Sequence, residues 1–375
     1  MNENAIIAQY GKKRVDIIKR RLAEFAVETP SWGYRRAGTR FGTYQAPGDP
    51  KTQEQKFAKA GQFLRRTGKS QTVALHFPWD AANMAEVAKL QKILKKNGLK
   101  AGAINANLFS MRPKGALGAR VRFGSMTNPA ADVRRASVAH NLECIKIMRR
   151  LGSKCFVLWL PDGTNSQGQM SMFDQADYLE QTAAETYRAL RAGEQMLIEY
   201  KFFEPGFYST AIPSWGRALQ LCNALGPRAR VLVDLGHHPL GANIEQIVAL
   251  LMREKKLGGF HFNDHKYADD DLATGSIDPA QLFRIFCVLV EGDMRGVMRI
   301  RDIGFMIDQS HMIKDPLDEM LESLENILIA YAKALLVDFA KLRDLQSRLR
   351  VSGADALLRD AFLTDVRPLL SSTGS

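Results

Sequence analysis

The chain of 375 residues has few cysteines, no long apolar run and no sign of a secretory leader. Its four cysteines (Cys144, Cys155, Cys222 and Cys287) are scattered outside any pairing motif, which argues against a disulfide-stapled secreted scaffold. No apolar run approaches the length of about 18 residues that crosses a bilayer. The N-terminus MNENAIIAQYGKKR lacks the basic-then-apolar order of a secretory signal. We therefore expect a cytoplasmic protein with reduced cysteines and no membrane partner.

Acidic residues are fewer than basic ones, since 52 Lys and Arg against 40 Asp and Glu give a net charge of +12. An excess of this size permits nucleic-acid binding. Most basic residues, however, are spread along helix-like faces, as in LQKILKKNGLK. A solvated surface is therefore the simpler interpretation, and we expect no nucleic-acid partner. Arg35 and Arg36 differ, because they lie in a predicted loop close to the site described below.

Strand-like and helix-like segments alternate from about residue 28 to residue 335. The strand-like runs cover 29–34, 72–79, 100–109, 154–162, 196–201, 230–237, 257–264 and 304–310. Most are continuous apolar runs, as in strands buried on both faces, and amphipathic segments of helical length fill the gaps. Eight β-then-α units predict an α/β protein with a (β/α)8 TIM barrel. The alternative is a doubly wound open sheet, which the absence of a Gly-rich phosphate loop after the first strand disfavours.

We expect three parts in this chain. An N-terminal helical extension covers 1–27, the (β/α)8 barrel with the catalytic site covers 28–345, and a C-terminal helical extension covers 346–375. The first extension looks like a single extra helix. Beyond residue 335, the pattern predicts one or two further helices that pack on the barrel or on a neighbouring subunit.

Candidate metal ligands lie at or just after the carboxyl ends of four consecutive strand-like runs. They are Glu199, Asp234, His237, His261, Asp269, Asp271 and Asp308. The carboxyl ends of parallel barrel strands converge on one face, so these side chains would meet around a common point. Carboxylates with one or two imidazoles suit Mn²⁺, Mg²⁺, Co²⁺ or Zn²⁺. Seven ligands exceed the need of one ion, so we expect two divalent ions that share a bridging carboxylate.

Other polar and aromatic residues on these strands suit a sugar. Alternation puts Lys201 on the same face as Glu199, where its ammonium could bind a substrate oxygen. Aromatic faces pack on the C–H faces of sugars, while histidine and asparagine bind hydroxyls. The predicted substrate-binding residues are Trp32, His76, Asn105, Trp159 and Lys201.

Several motifs carry a family resemblance. In chain order they are HFPWD, NLECI, ExK, EPxFYST, VDLGHH, GGFHFNDxKYxDDDL and MIDQSH. This order is similar to that of the L-rhamnose isomerases of the pseudomonad type, which belong to the xylose-isomerase-like barrels. The resemblance implies a Mn²⁺-preferring aldose–ketose isomerase with broad aldose tolerance that works as a homotetramer. It also implies one ion at Glu199, Asp234, His261 and Asp308, and a second at Glu199, His237, Asp269 and Asp271.

The sequence departs from this family at three places. Tyr200 stands where a histidine is expected between Glu199 and Lys201, but alternation turns it away from the pocket. Residues 34–36 and 111–125 also diverge. Both stretches lie in βα-loops, where specificity is set, so they bear on the choice of sugar rather than on the chemistry.

The catalytic residues predicted from this pattern are Asp308, Lys201 and His76. Asp308 would move protons, and Lys201 would stabilise charge on O1. The residues do not separate a C1–C2 hydride shift from an enediol route, and family analogy favours the shift. Competing functions are a ketose 3-epimerase of the same superfamily, a barrel endonuclease acting at abasic DNA sites and a non-enzymatic sugar-binding barrel. The seven histidines in the chain are too few for the endonuclease cluster.

Overall fold

The computed structural model describes residues 2–36, 43–108, 111, 116–204, 209–268, 270–310 and 313–370. Eight parallel strands form one sheet, in the order β1-β2-β3-β4-β6-β8-β9-β10. Their bounds are β1 Thr29–Pro30, β2 Thr72–Phe77, β3 Lys100–Ala106, β4 Cys155–Leu158, β6 Gln195–Glu199, β8 Ala229–Asp234, β9 Leu257–Phe262 and β10 Gly304–Ile307. A separate antiparallel pair, β5 Gly163–Thr164 and β7 Ser209–Thr210, was not predicted from the sequence.

The sheet closes between its first and last strands. The backbone N–H of Glu28 donates to the carbonyl of Phe305 (2.7 Å), and Ile307 donates to the carbonyl of Glu28 (2.9 Å). This closure confirms the predicted TIM barrel. Strand β1 is shorter than predicted, because residues Trp32–Tyr34 turn into a 3-10 helix directly after it.

Helices fill the connections between the strands. They are α1 Glu3–Tyr10, α2 Lys12–Glu24, α3 Gln53–Thr67, α4 Met84–Lys96, α5 Ala116–Arg120, α6 Ala131–Leu151, α7 Met172–Arg188, α8 Trp215–Leu225, α9 Ile244–Arg253, α10 Pro279–Met294, α11 Pro316–Leu336, α12 Phe339–Ser347, α13 Val351–Leu363 and α14 Arg367–Leu370. Asp278 begins α10 by accepting a hydrogen bond from the N–H of Gln281, and Asp315 begins α11 in the same way through Leu317. Among the described residues, no helix is both long and apolar enough to cross a membrane.

The two helical extensions contain more elements than the sequence pattern predicts. The N-terminal extension has two helices, because Gly11 adopts a φ of 85° and ends α1 before α2 begins. Three helices, α12 to α14, follow α11. Helix α2 packs against both α11 and α14, so the two extensions meet on the outside of the barrel.

Side chains that face the barrel interior lie at successive levels. The middle level is apolar and consists of Ala74, Ala103, Val157, Leu197, Leu232 and Met306. Two residues further along the strands, at their carboxyl ends, alternation brings the polar residues Glu199, Asp234 and Asp308 to the interior. The apolar level therefore forms a floor beneath the polar one.

Below this floor, the side chain of Glu28, which directly precedes β1, reaches past β2 to β3. The register between β2 and β3 shifts near Leu75, and the carboxylate of Glu28 accepts a hydrogen bond from the N–H of Ala103 (2.8 Å). Gly102 makes this arrangement possible, because a Cβ there would lie 1.5 Å from Oε2 of Glu28.

Candidate metal centre

Four of the predicted ligands converge at the carboxyl ends of β6, β8, β9 and β10. Glu199, Asp234, His261 and Asp308 each offer one ligand atom, and these atoms all lie within 4.8 Å of one another. The Nδ1 atom of His261 is 3.2 Å from Oε1 of Glu199, 3.5 Å from Oδ2 of Asp234 and 3.0 Å from Oδ2 of Asp308. The strand-end pattern therefore brings together the group of residues expected to hold the first ion.

In this cluster, charged neighbours outweigh burial in setting the pKa values of His261 and Glu199. Burial by itself would lower the pKa of His261, but the carboxylates of Glu199 and Asp308 outweigh it and raise that pKa well above 6.5. Burial would likewise raise the pKa of Glu199, yet the neighbouring His261 and His237 hold it well below its usual range. The two imidazoles thus favour the charged form of the Glu199 carboxylate, which is the form that binds cations.

His237 joins the cluster from the turn after β8. Its Nδ1 atom lies 3.1 Å from the backbone carbonyl of Tyr200 and 3.2 Å from Oε1 of Glu199. The same Glu199 oxygen is therefore 3.2 Å from the Nδ1 atoms of both His237 and His261. Glu199 therefore contacts two imidazoles through one carboxylate oxygen.

The remaining two predicted ligands come from the segment after β9. Asp269 lies outside the described residues. Asp271 is half-buried, and its backbone carbonyl accepts a hydrogen bond from the N–H of Ser310 (3.1 Å), which ties this segment to the residues after β10. The carboxylate of Asp270 accepts from the N–H groups of Lys266 and Tyr267 (2.7 and 2.8 Å), so it stabilises its own loop.

The donor set fits a divalent cation. Oδ2 of Asp234 is buried and accepts no hydrogen bond within the described part of the chain. It nevertheless lies 3.5 Å from Nδ1 of His261 and 4.0 Å from Nε2 of His237. A buried carboxylate oxygen without a donor is costly unless a cation lies beside it. Carboxylate oxygens with imidazole nitrogen are the ligands that Mn²⁺ and Mg²⁺-like ions accept.

Neighbouring groups fix the orientation of these ligands. Asn263 donates to Oδ1 of Asp234 (3.0 Å), and both side chains accept from the N–H of Gly236 (2.8 Å each). Behind the cluster, the hydroxyl of Tyr200 and Nε2 of His238 are 2.6 Å apart in a buried hydrogen bond. The Tyr200 side chain therefore points away from the cluster, as alternation predicts, and helps to hold the turn that carries His237.

Trp32 and His76 form one wall beside the cluster. The indole N–H of Trp32 donates to Oδ1 of Asp308 (2.9 Å). The Trp32 ring packs edge-on against His76 (4.4 Å between centroids), and Trp79 stacks on the other side (4.7 Å). Burial lowers the pKa of His76 to about 4, so its imidazole is neutral at pH 7. The structure thus links two predicted sugar-binding residues to a predicted ligand.

Lys201 and Trp159 lie on a second wall. The ammonium of Lys201 is buried, donates to Oε2 of Glu204 (2.6 Å) and lies 5.5 Å from the centre of the Trp159 ring. Glu204 is a partner that sequence reasoning missed, although it stands three residues after Lys201 in the EPxFYST motif. Asn105 is buried, and its amide donates to the carbonyl of Leu75 (3.3 Å).

The divergent loops contribute structural contacts. Arg36 donates to the carboxylate of Asp49 (2.8 Å) and to the carbonyls of Ile313 and Lys314 (3.1 and 2.9 Å), so it joins the loops after β1 and β10. In the stretch 111–125, residues 112–115 lie outside the described part. Its end is fixed where Asp162 accepts hydrogen bonds from the N–H and the hydroxyl of Ser125 (2.8 and 2.7 Å).

Comparisons with known proteins agree with this architecture. A family described as "Xylose isomerase-like TIM barrel" matches residues 61–286. A relative from Rhizobium meliloti (strain 1021), named "Probable sugar isomerase", is 41% identical over 360 residues, which is 96% of this chain and 82% of the relative. A second relative named "Probable sugar isomerase", from Mesorhizobium japonicum, is 40% identical over 358 residues, which is 95% of this chain and 82% of the relative.

Solved structures share the fold at low sequence identity. An L-ribulose 3-epimerase superimposes with a TM-score of 0.54 at 17% identity, over 83% of this chain and 95% of that one. A 3-keto-D-glucoside 4-epimerase from E. coli superimposes with a TM-score of 0.53 at 14% identity, over 78% of this chain and 98% of that one. At this identity the similarity concerns the fold alone. The family match and the two relatives show that the chain belongs to the xylose isomerase-like TIM barrel family.

Proposed function

We propose that this protein is an aldose–ketose isomerase that depends on two divalent ions, with Mn²⁺ preferred and L-rhamnose as the first substrate to test. The observation that carries the proposal is the position of Glu199 Oε1, 3.2 Å from both His237 and His261. One ion would be held by Glu199, Asp234, His261 and Asp308. The second would be held by Glu199, His237, Asp269 and Asp271. The relatives named as sugar isomerases support the same reaction class.

When bound, the ions supply Lewis-acid polarisation of adjacent sugar oxygens. The protein groups around them would orient the open-chain sugar and move its protons. Asp308 is our candidate for proton transfer, because its other oxygen is held by Trp32 (2.9 Å) and its carboxylate is thereby fixed in direction. A fixed acceptor loses no free energy to reorientation during the reaction.

His76 and Lys201 would bind the sugar as hydrogen-bond donors. The amide nitrogen of Asn107 and Nδ1 of His76 are 3.5 Å apart, and with Asn107 as the donor the proton of the neutral ring is on Nε2. His76 would thus donate to a sugar oxygen without carrying charge. Lys201 would stabilise negative charge developing on O1, while Glu204 holds its ammonium in place. Trp32 and Trp159 would pack on the C–H faces of the substrate.

Ketose formation from L-rhamnose tests the reaction class. Chelator-stripped protein is assayed with and without Mn²⁺, and L-rhamnulose is quantified by chromatography. We expect turnover only with the metal. Epimerisation of a ketose at C3 without any aldose–ketose conversion would favour a 3-epimerase, the activity named for one solved structure of this fold. Deuterium at C2 of the aldose separates the routes, since extensive loss to solvent would overturn a hydride shift.

Asp271 and Asp270 form a matched pair for the second ion. Asp271→Asn removes a proposed ligand, whereas Asp270→Asn changes a neighbouring carboxylate that bonds only within its own loop among the described contacts. Titration of Mn²⁺ by calorimetry should show one ion lost in the Asp271 variant and two retained in the control. Equal stoichiometry in both variants would exclude Asp271 as a ligand.

We also propose a homotetramer, on the family resemblance of the sequence. Light scattering on the purified protein tests it, and a monomer would overturn it.

A further inference from the structure

A second cavity opens at the opposite end of the barrel from the metal centre. Its volume is about 920 Å³, and residues at the starts of the strands line it, among them Thr72, Lys100, Cys155 and Gln195. Barrel enzymes perform their chemistry at the carboxyl ends of the strands. This cavity therefore opens away from the proposed catalytic face, although His261 of the metal centre is also among its lining residues, and its volume lies in the range of small-molecule pockets.

Small residues make this end of the barrel hollow. Gly102, Gly259, Gly304 and Ala103 line the cavity, and Leu197, Leu232 and Met306 of the apolar floor also contribute to the lining. From the N-terminal extension, only Ala26 contributes to the lining, beside Glu28 at the start of the barrel. Helices α1 and α2 thus leave the opening uncovered among the described residues.

Four cations line the cavity without carboxylate partners in the described part of the chain. They are Lys100, Lys154, Arg228 and Arg230. Arg228 donates to the carbonyl of Leu190, and Arg230 to the carbonyl of Asp302 (3.4 Å), so both bond to uncharged groups. The one other acid in the lining besides Glu28 is Glu194, and the guanidinium of Arg149 already neutralises it (2.7 Å).

These four cations are not placed where they would compensate helix dipoles. Lys100, Lys154 and Arg230 lie at or next to the starts of strands β3, β4 and β8, whereas dipole-compensating residues belong in the last turns of helices. Four uncompensated positive charges around a concave opening produce a focused positive potential. Such a potential attracts an anion.

The deeper lining offers groups that bind hydroxyls. The carboxyl group of Glu28 accepts from the N–H of Ala103 (2.8 Å), bonds to the side chain of Thr72 and keeps further acceptor capacity. Thr72 and Gln195 add a hydroxyl and an amide to the lining, and within the protein they bond to Glu28 and Cys155. A ligand that is anionic at one end and hydroxylated at the other matches this order of groups from the opening inward.

We propose that this cavity binds a small sugar phosphate, with its phosphate held by cations from the group Lys100, Lys154, Arg228 and Arg230, and its hydroxyls towards Glu28, Thr72 and Gln195. A phosphate monoester carries close to two negative charges at pH 7, which suits four cations better than a single carboxylate does. This proposal does not depend on which sugar reacts at the metal centre.

Calorimetric titration of chelator-stripped protein with D-ribose 5-phosphate tests the proposal. We expect one molecule bound per chain with a Kd below about 1 mM, and weaker binding of both inorganic phosphate and D-ribose. The double variant Lys154→Gln/Arg230→Gln should raise Kd at least about tenfold. The control Lys95→Gln/Lys96→Gln removes the same charge from exposed positions at the end of α4, outside the cavity, and should leave Kd unchanged.

A larger side chain in place of Gly304 would occupy part of the cavity. A Cβ at this position has no neighbour closer than 3.6 Å, so Gly304→Ala fits, while Gly304→Leu adds bulk to the lining. We expect binding to survive in the alanine variant and to be lost in the leucine variant. Three results would overturn the proposal: no binding to the unmodified protein, unchanged binding in Gly304→Leu, or inorganic phosphate binding as tightly as the sugar phosphate.

Discussion

Gly102 gives the sharpest stability prediction for the barrel interior. In Gly102→Ala, the new Cβ would lie 1.5 Å from Oε2 and 2.1 Å from Cδ of Glu28. The Glu28 carboxylate must therefore swing away into the cavity below it, and the N–H of Ala103 loses its 2.8 Å hydrogen bond. Breaking this hydrogen bond and leaving a largely buried N–H unpaired costs about 1–3 kcal/mol. We expect the free energy of unfolding to fall by that amount.

Urea unfolding followed by circular dichroism measures this effect, and Gly304→Ala is the matched control. Its added Cβ has no neighbour closer than 3.6 Å, so it should be neutral or slightly stabilising. In a Glu28→Ala background there is no carboxylate to displace, and Gly102→Ala should then cost close to nothing. A coupling energy near zero between the two sites would refute the reasoning.

Three further predictions concern the surroundings of the metal centre. Tyr200→Phe leaves Nε2 of buried His238 without its donor and should lower the free energy of unfolding by about 1–3 kcal/mol, whereas Tyr44→Phe, at an exposed position, should not. Burial lowers the pKa of His76 to about 4, against 6.5 for an unperturbed histidine, so between these pH values the unfolded chain binds one more proton than the folded one. The free energy of unfolding should therefore fall as the pH falls from 6.5 to 4, and it should fall less steeply in His76→Asn. Glu199→Gln should abolish calorimetric binding of both ions, and one ion retained would exclude the bridging role.

The barrel was predictable because its signals are local. Each strand is a short apolar run between helical segments, and the runs at 196–201 and 257–264 match β6 and β9 to within two residues. The convergence of Glu199, Asp234, His261 and Asp308 followed from the same pattern, since strand ends of a closed parallel sheet have one common face. The break between α1 and α2 was missed because Gly11 is a single residue within a helical pattern.

Partners that come from distant parts of the chain were not predictable. Trp32 bonds to Asp308 across 276 residues, and Glu28 bonds to Ala103 across 75. Neither pair has a spacing that periodicity can detect, because strand pairing and barrel closure bring these distant segments together. The cavity below the floor has the same origin, since its lining residues come from the starts of strands throughout the barrel.

Titration of Mn²⁺ into chelator-stripped protein, with bound ions and L-rhamnulose formation measured on the same samples, tests the central claim most directly. The account predicts that two ions bind per chain and that ketose formation rises with their occupancy from a baseline near zero. Full turnover in the stripped protein, or a chain that binds no ion, would contradict it.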